Sequence, residues 1–433
     1  MDVVTRSNIW LLPVLFLLCL SARGQLGVVY ELKKPPKYEN RTLASEKSTE
    51  GKFRKPRRFM QNTVTHYNFY FNANNKLNDV IARAKSSMRE DYAKLLPFYK
   101  YTLDATLSQK RELDSVIYKC TAGILIHDTR NDWIDNLYLL IGKAYYLRKD
   151  FDSAYITFQF INYAFAPKEK DGYDKTIASN AYSDEGGSNF IVSTKEKRNI
   201  AQKLFSLPPS RNEALVWQVR TYLAMDKYAD AAALIAVLRH DPQFPPRLAP
   251  DLEEVQALWF YKQSVWDSAA YHLERALPAA PNKEEMARWE YLIGQLYERA
   301  DNPTESREFY ERVVRHTFDP VLEVYARLNS IRQNKNKEED YIQKNIDALG
   351  KMARKDRYEP YRDIIYYTAA QIELERNNKP GAKAFLLLCT RSAAAGENSQ
   401  SSYKNKAFLQ LADLSYAGKN YPAAKNYYDS VRA

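Results

Sequence analysis

The sequence predicts an all-α fold built as a stack of helical hairpins. Three observations carry that prediction: a two-helix pattern that recurs from about Asn131 to the C-terminus, a small residue that returns at a near-constant interval, and a scarcity of strand signals. The clearest copy is NLYLLIGKAYYLRKDFDSAYITFQFI, Asn136–Ile161. Tyr138, Ile141, Gly142 and Tyr145 mark one face of a first helix, and Ala154, Phe158 and Ile161 mark one face of a second. Lys149-Asp150-Phe151 between them reads as a short polar turn followed by an aromatic. A small residue lets two helices approach closely while large residues fill the groove beside it, which is the tetratricopeptide pattern. The predicted architecture is a tetratricopeptide-type α-solenoid, a right-handed superhelix of helical hairpins.

The small residue of the second helix recurs as Ala154, Ala231, Ala269, Ser306, Ala382 and Ala424, at intervals of 77, 38, 37, 76 and 42. The two double intervals are expected to hide one degenerate hairpin each. One falls on Pro320–Met352, where PVLEVYARLNSIR and IQKNIDALGKM carry apolar residues at helical spacing. The other falls on the helix-like stretch Ile191–Leu207. Further copies keep the register: Leu215–Leu238 with Tyr222, Ala231, Ile235 and Leu238, and Trp289–Val314 with Ile293-Gly294, Tyr297 and Tyr310. Val265–Leu277 and Asn420–Val431 read as second helices. The last of these has an apolar face that still needs a neighbour, so the chain is expected to be the first part of a longer protein.

The array is expected to occupy residues 61–433, interrupted by an insertion loop at 166–188 that ends in Asp184-Glu185-Gly186-Gly187-Ser188. Insertions between repeats emerge on one face, often the recognition face. The bland alternative is a surface loop with no partner. Thirteen glycines are few and thirty-three tyrosines many for 433 residues. Most tyrosines are expected to fill repeat grooves, with a minority on a binding face.

Residues 1–24 read as a secretory signal peptide: Arg6 as the positive flank, Ile9–Leu20 as the apolar run, and Ala22-Arg23-Gly24 as the cleavage site. That run is too short for a stable transmembrane helix. Cys19 raises lipid attachment as an alternative, against which Leu18 stands where a small residue is needed. Residues 25–60 form a basic arm with ten Lys/Arg against four Glu. It lacks helical periodicity and is expected to be disordered or extended. For an exported chain its partners would be anionic lipid, cell-wall polymer or an acidic protein and not nucleic acid; the plain alternative is a solvated linker. The net charge of +11 owes more than half its excess to this arm.

No catalytic constellation emerges. His66, His127, His240, His272 and His316 are too far apart for a zinc motif, and no nucleophile elbow, Walker loop or dinucleotide fingerprint is present. Cys120 and Cys389 make neither a metal site nor a disulfide framework and read as buried small apolar residues. Trp133, Trp217, Trp259, Trp266 and Trp289 could serve as sugar-stacking platforms, but their helical spacing points to the core. No cofactor, metal, catalytic residue or small-molecule substrate is therefore expected. The candidate partner contacts are Lys168, Lys170, Asp171 and Tyr173 in the insertion and Arg54, Arg57 and Arg58 in the arm.

Four strings carry more than repeat consensus: Arg130–Ala154, Phe158–Ile177 (FQFINYAFAPKEKDGYDKTI), Pro208–Leu223 (PPSRNEALVWQVRTYL) and Arg288–Glu298 (RWEYLIGQLYE). They resemble the SprE/PorW family, tetratricopeptide proteins of Bacteroidota involved in gliding motility and type IX secretion, over about Phe59 to the C-terminus. The resemblance implies a non-catalytic, periplasm-facing outer-membrane lipoprotein that binds other proteins of the secretion and motility complex in the cell envelope. Two departures stand out: the lipobox is imperfect, and family members are longer, in line with the expected continuation. A rival of another class is a SusD-type glycan-binding outer-membrane protein, which would carry a large irregular subdomain between its repeats.

Overall fold

The computed structural model describes residues 30–40, 53–166, 192–196, 206–333, 339–392 and 402–432. The helices in chain order are α1 (Lys55–Val64), α2 (Asn72–Ser87), α3 (Leu103–Leu107), α4 (Lys110–Ile126), α5 (Ile134–Leu147), α6 (Phe151–Ala164), α7 (Arg211–Ala224), α8 (Tyr228–His240) and α9 (Ala249–Lys262). They continue with α10 (Trp266–Ala276), α11 (Lys283–Arg299), α12 (Pro303–His316), α13 (Pro320–Arg332), α14 (Glu339–Ala353), α15 (Arg362–Glu375), α16 (Lys379–Arg391), α17 (Ser402–Ala417) and α18 (Tyr421–Arg432). No strand occurs among the described residues. Consecutive helices associate in pairs, and from α9 onward successive pairs pack together through α10 with α11, α12 with α13, α14 with α15 and α16 with α17, the tetratricopeptide-type α-solenoid that the hairpin pattern predicts.

The described chain divides into two compact units. The first holds residues 30–40, 53–78, 110–166 and 206–218; the second holds 79–109, 192–196, 219–333, 339–392 and 402–432.

Six hairpins share one turn. Lys149, Asp226, Ser264, Asp301, Asn377 and Lys419 have φ of 53–60°, and each lies two residues before a second helix begins. The amide of the next residue (Asp150, Lys227, Val265, Asn302, Asn378 or Asn420) donates to a carbonyl five positions earlier. The left-handed residue's own amide donates three positions back. This pair of bonds satisfies carbonyls that a helix end otherwise leaves orphaned. The residue that closes the first helix also starts the second, because its carbonyl accepts from the amide of the small residue, Ala154 through Ala424. All six small residues are at most 2 % exposed or fully buried.

None of the six left-handed positions is glycine, so each carries strain of about 1–2 kcal/mol, less for Asn and Asp. Ser264→Gly and Lys419→Gly, both at exposed turns, are expected to stabilise the protein by about 0.5–1 kcal/mol each, after the larger chain entropy of glycine offsets part of the gain. Urea unfolding with an unchanged m-value checks this.

The small residue works with a second one on the first helix. A Cβ on Gly142 would lie 2.4 Å from the Phe158 ring, and one on Gly294 would lie 2.8 Å from the Tyr310 ring. Each ring, four residues after Ala154 or Ser306, therefore seats directly over the partner helix backbone. Ser306 adds a hydrogen bond from Oγ to the Gly294 carbonyl (2.8 Å).

The degenerate hairpin expected at Pro320–Met352 is α13 and α14, started by Asp319, whose carboxylate accepts from the Val321 amide (2.8 Å). Of the helix-like stretch Ile191–Leu207, residues 192–196 and 206–207 are irregular and the rest lies outside the described residues. The signal peptide and the insertion beyond Ala166 also lie outside them.

Residues 55–60 of the basic arm depart from the expected disordered or extended form. They are the first turns of α1, which runs without a break through a π-helical stretch, Thr65–Phe71, into α2. Apolar periodicity does not reveal the start of this helix because residues 55–60 hold only two apolar side chains, Phe59 and Met60, and its inward face is polar. Gln61 accepts from the Asp128 amide (3.0 Å), and Asn62 donates to Asp132 (2.7 Å) and accepts from its amide (3.1 Å). Thr65 accepts from Asn131 (2.8 Å).

Candidate functional site

In the second unit, residues 88–102 form no helix and lie along the first helices α9, α11 and α13. Side chains of those helices hold the segment by its main chain. Gln295 accepts from the Leu96 amide (2.9 Å) and donates to the Lys94 carbonyl (2.7 Å). Tyr291 donates to the Tyr92 carbonyl (2.7 Å) and Tyr261 to the Leu96 carbonyl (2.9 Å). Arg288 donates to the carbonyls of Pro97 (2.6 Å) and Phe98 (3.0 Å). A primary amide offers one acceptor and two donors, so a single glutamine satisfies both an amide and a carbonyl of this irregular main chain.

Side chains of the segment add anchors. Leu96 and Phe98 are buried. Glu90 forms a salt bridge with Arg288 (2.6 Å) in which both side chains are almost fully buried. Tyr92 donates to Asp319 (2.9 Å) and Tyr99 to Glu254 (2.8 Å), which also pairs with Arg220 (2.6 Å). Lys100 pairs with Glu284 (3.1 Å), and just before the segment Lys85 of α2 pairs with Glu285 (2.6 Å). Burial, with the Asp319 carboxylate beside it, pushes the Tyr92 phenol well up, and burial does the same to Tyr291. Both hydroxyls stay protonated and act as donors. As a result α11 is buried on every side from Ala287 to Tyr297.

The first unit holds another non-helical segment, residues 30–35. Tyr30 stacks on Phe160 (4.6 Å, 21°) and meets Tyr138 edge-on (5.7 Å, 77°). Leu32 and Pro35 are buried, and the Lys33 ammonium lies 6.0 Å from the Tyr145 ring centre. Burial raises the Tyr30 phenol against a smaller opposing effect of its hydrogen bond with Thr157. Part of the expected disordered arm is thus an ordered strip over α5 and α6.

Part of the clamp recurs two hairpins along the array, in register, with Ile364 at the position of Arg288. Counting back from the left-handed residue, Tyr291 and Gln295 of α11 match Tyr367 and Gln371 of α15, and Gly294 matches the buried Ala370. Here the glutamine pairs with another, donating to Gln410 of α17 (2.7 Å) and accepting from it (3.3 Å), and Tyr367 leans on Tyr403 (5.6 Å). Both residues are partly exposed.

Of the candidate contacts read from sequence, Lys168, Lys170, Asp171 and Tyr173 lie outside the described residues. Arg54 and Arg57 are exposed at the start of α1, and Arg58 pairs with Asp132. None of these three belongs to the clamp. Sequence reasoning missed Arg288, Tyr291 and Gln295. Their spacing of three and four places them on one helix face, but nothing in the hairpin pattern distinguishes them. The five tryptophans are buried or half-buried, and Cys120 and Cys389 are free and buried. Among the described residues no three His, Cys, Asp or Glu gather as metal ligands.

No family model matches the chain, and no curated protein matches it. Three solved structures overlap it loosely. BtubC (BKLC) from P. vanneervenii is 14% identical over 52% of this chain and 87% of its own, with a TM-score of 0.32. The apo quorum sensor NprR from B. thuringiensis is 11% identical over 76% and 84%, at 0.30. Human IFIT1, as a dimer with m7Gppp-AAAA, is 12% identical over 83% and 73%, at 0.28. Likeness at this level carries no inference about what the chain binds.

Proposed function

We propose that this chain is a non-catalytic scaffold that holds non-helical segments of other proteins on the first-helix face of its repeats. The observation that carries the reading is the main-chain clamp. Arg288, Tyr291, Gln295 and Tyr261 bind backbone atoms and so require little of the bound sequence, while buried Leu96 and Phe98 show where side-chain specificity enters. The partner site is the partly exposed copy on α15, Tyr367 with Gln371. The four strings resembling SprE/PorW support a place for the scaffold in the cell envelope, exported to the periplasm and associated with the outer membrane. There it would serve type IX secretion and gliding by binding other components of that machinery.

The test has two arms. A photo-crosslinking side chain at Gln410, beside Gln371, in the native host is expected to capture envelope proteins of the secretion machinery. Tyr367→Ala with Gln371→Ala should abolish that capture, and melting should move by no more than a few degrees because both side chains are partly exposed. Capture that survives the double substitution rules out the α15 clamp. A deletion strain that secretes and glides normally rules out the machinery assignment and leaves the clamp standing.

A further inference from the structure

We infer that the outward face of α1 and the following π-helical stretch is a docking site for an anionic lipid surface, on which this helix lies flat. Along α1 the inward face is the polar one described above, and the outward face of α1 and the π-helical stretch presents Phe59, Met60, Tyr67 and Phe71, which are 66, 61, 60 and 50 % exposed. Large side chains this exposed, lined up along one helix, form a patch that calls for a cover.

The occupant follows from charge and shape. Residues 51–78 contain six Lys/Arg and no Asp or Glu. Arg54, Lys55 and Arg57 are all exposed at one end of the stripe, whose polar neighbours are the uncharged and exposed Thr63, Asn68 and Asn72. A basic end, an acid-free flank and a row of aromatic side chains suit the boundary between headgroups and acyl chains. An acidic protein segment would be matched by the cations but leaves the row of aromatic side chains along a single convex helix without a counterpart. No described helix is long and apolar enough to cross a membrane, so the contact is with the surface. The packing on the inner side holds the stripe in place: His66 stacks on Trp133 (4.0 Å, 12°), and Phe69 fits against Gly123, where a Cβ would come within 3.0 Å. The inference stands whether or not the secretion assignment holds.

The test uses the chain from Gln25 onward, which keeps every described residue, in sedimentation with phosphatidylcholine vesicles with and without phosphatidylglycerol. Binding to the anionic vesicles is expected. Phe59→Ser with Tyr67→Ser and Phe71→Ser should weaken it at least about tenfold. Arg54→Gln with Arg57→Gln should weaken it about tenfold or more on anionic vesicles only. Circular dichroism should show the variants folded, since none of these side chains faces inward. Failure to sediment with anionic vesicles overturns the inference, as does a stripe variant that binds like the parent. Polyglutamate that displaces the vesicles from the parent, with equal potency on the stripe variant, would assign the site to an acidic protein and overturn it as well.

Discussion

Arg288→Ala is expected to destabilise the second unit by about 3–5 kcal/mol and to release residues 88–101 from the face of α11. The Arg288 and Glu90 side chains are 3 and 2 % exposed. Removing the guanidinium strands a carboxylate in a nearly dry site and leaves the Pro97 and Phe98 carbonyls without their donors. The asymmetry between breaking a buried pair and replacing it gives a control. Arg288→Met combined with Glu90→Leu removes both charges and should recover much of the loss, short of the two carbonyl bonds. Urea unfolding measures the energy, and hydrogen exchange at the Leu96 amide, which donates to Gln295, reports the release. If Leu96 stays as protected in Arg288→Ala as in the parent, the segment is not held by this residue.

Gly294→Val is the second large effect. The new Cβ would lie 2.8 and 2.9 Å from two atoms of the Tyr310 ring. That ring has nowhere to go: Tyr310 is fully buried and its hydroxyl donates to Glu298 (2.7 Å). Overpacking commonly costs about 1–3 kcal/mol, and a fixed ring places this site at the upper end or above. The opposite sign is expected at Gly350 in α14, where a Cβ meets nothing within 4 Å. Gly350→Ala should gain up to about 1 kcal/mol from helix propensity alone. Thermal melts of the two variants side by side check both signs.

Much of the architecture is legible because the turn fixes a constant offset. Ala154, Ala231, Ala269, Ser306, Ala382 and Ala424 are each the fourth residue of a second helix, so one recurring small residue locates six junctions. The degenerate pair α13 and α14 is legible from apolar spacing even though it lacks the small residue. The start of helix α1 is hidden because its first turns, KPRRFM, hold too few apolar residues to show a period. The clamp is hidden for another reason. Arg288 and Glu90 are 198 residues apart, and a sequence shows no reason to pair an arginine in a repeat helix with a glutamate between helices. The tyrosines divide as their chemistry suggests: Tyr138 and Tyr310 are core, whereas Tyr291 is buried and still donates to a passing carbonyl.

The doubly used residue at each of the six turns also limits how the chain can change length. Because one position ends a rod and begins the next, these connections contain no slack to absorb an extra amino acid. An insertion there would rotate everything downstream by about 100° around the rod axis and swing its notch away from its neighbour. Growth or loss at these corners is therefore quantised in whole pairs of rods, and finer variation is confined to the stretches between pairs.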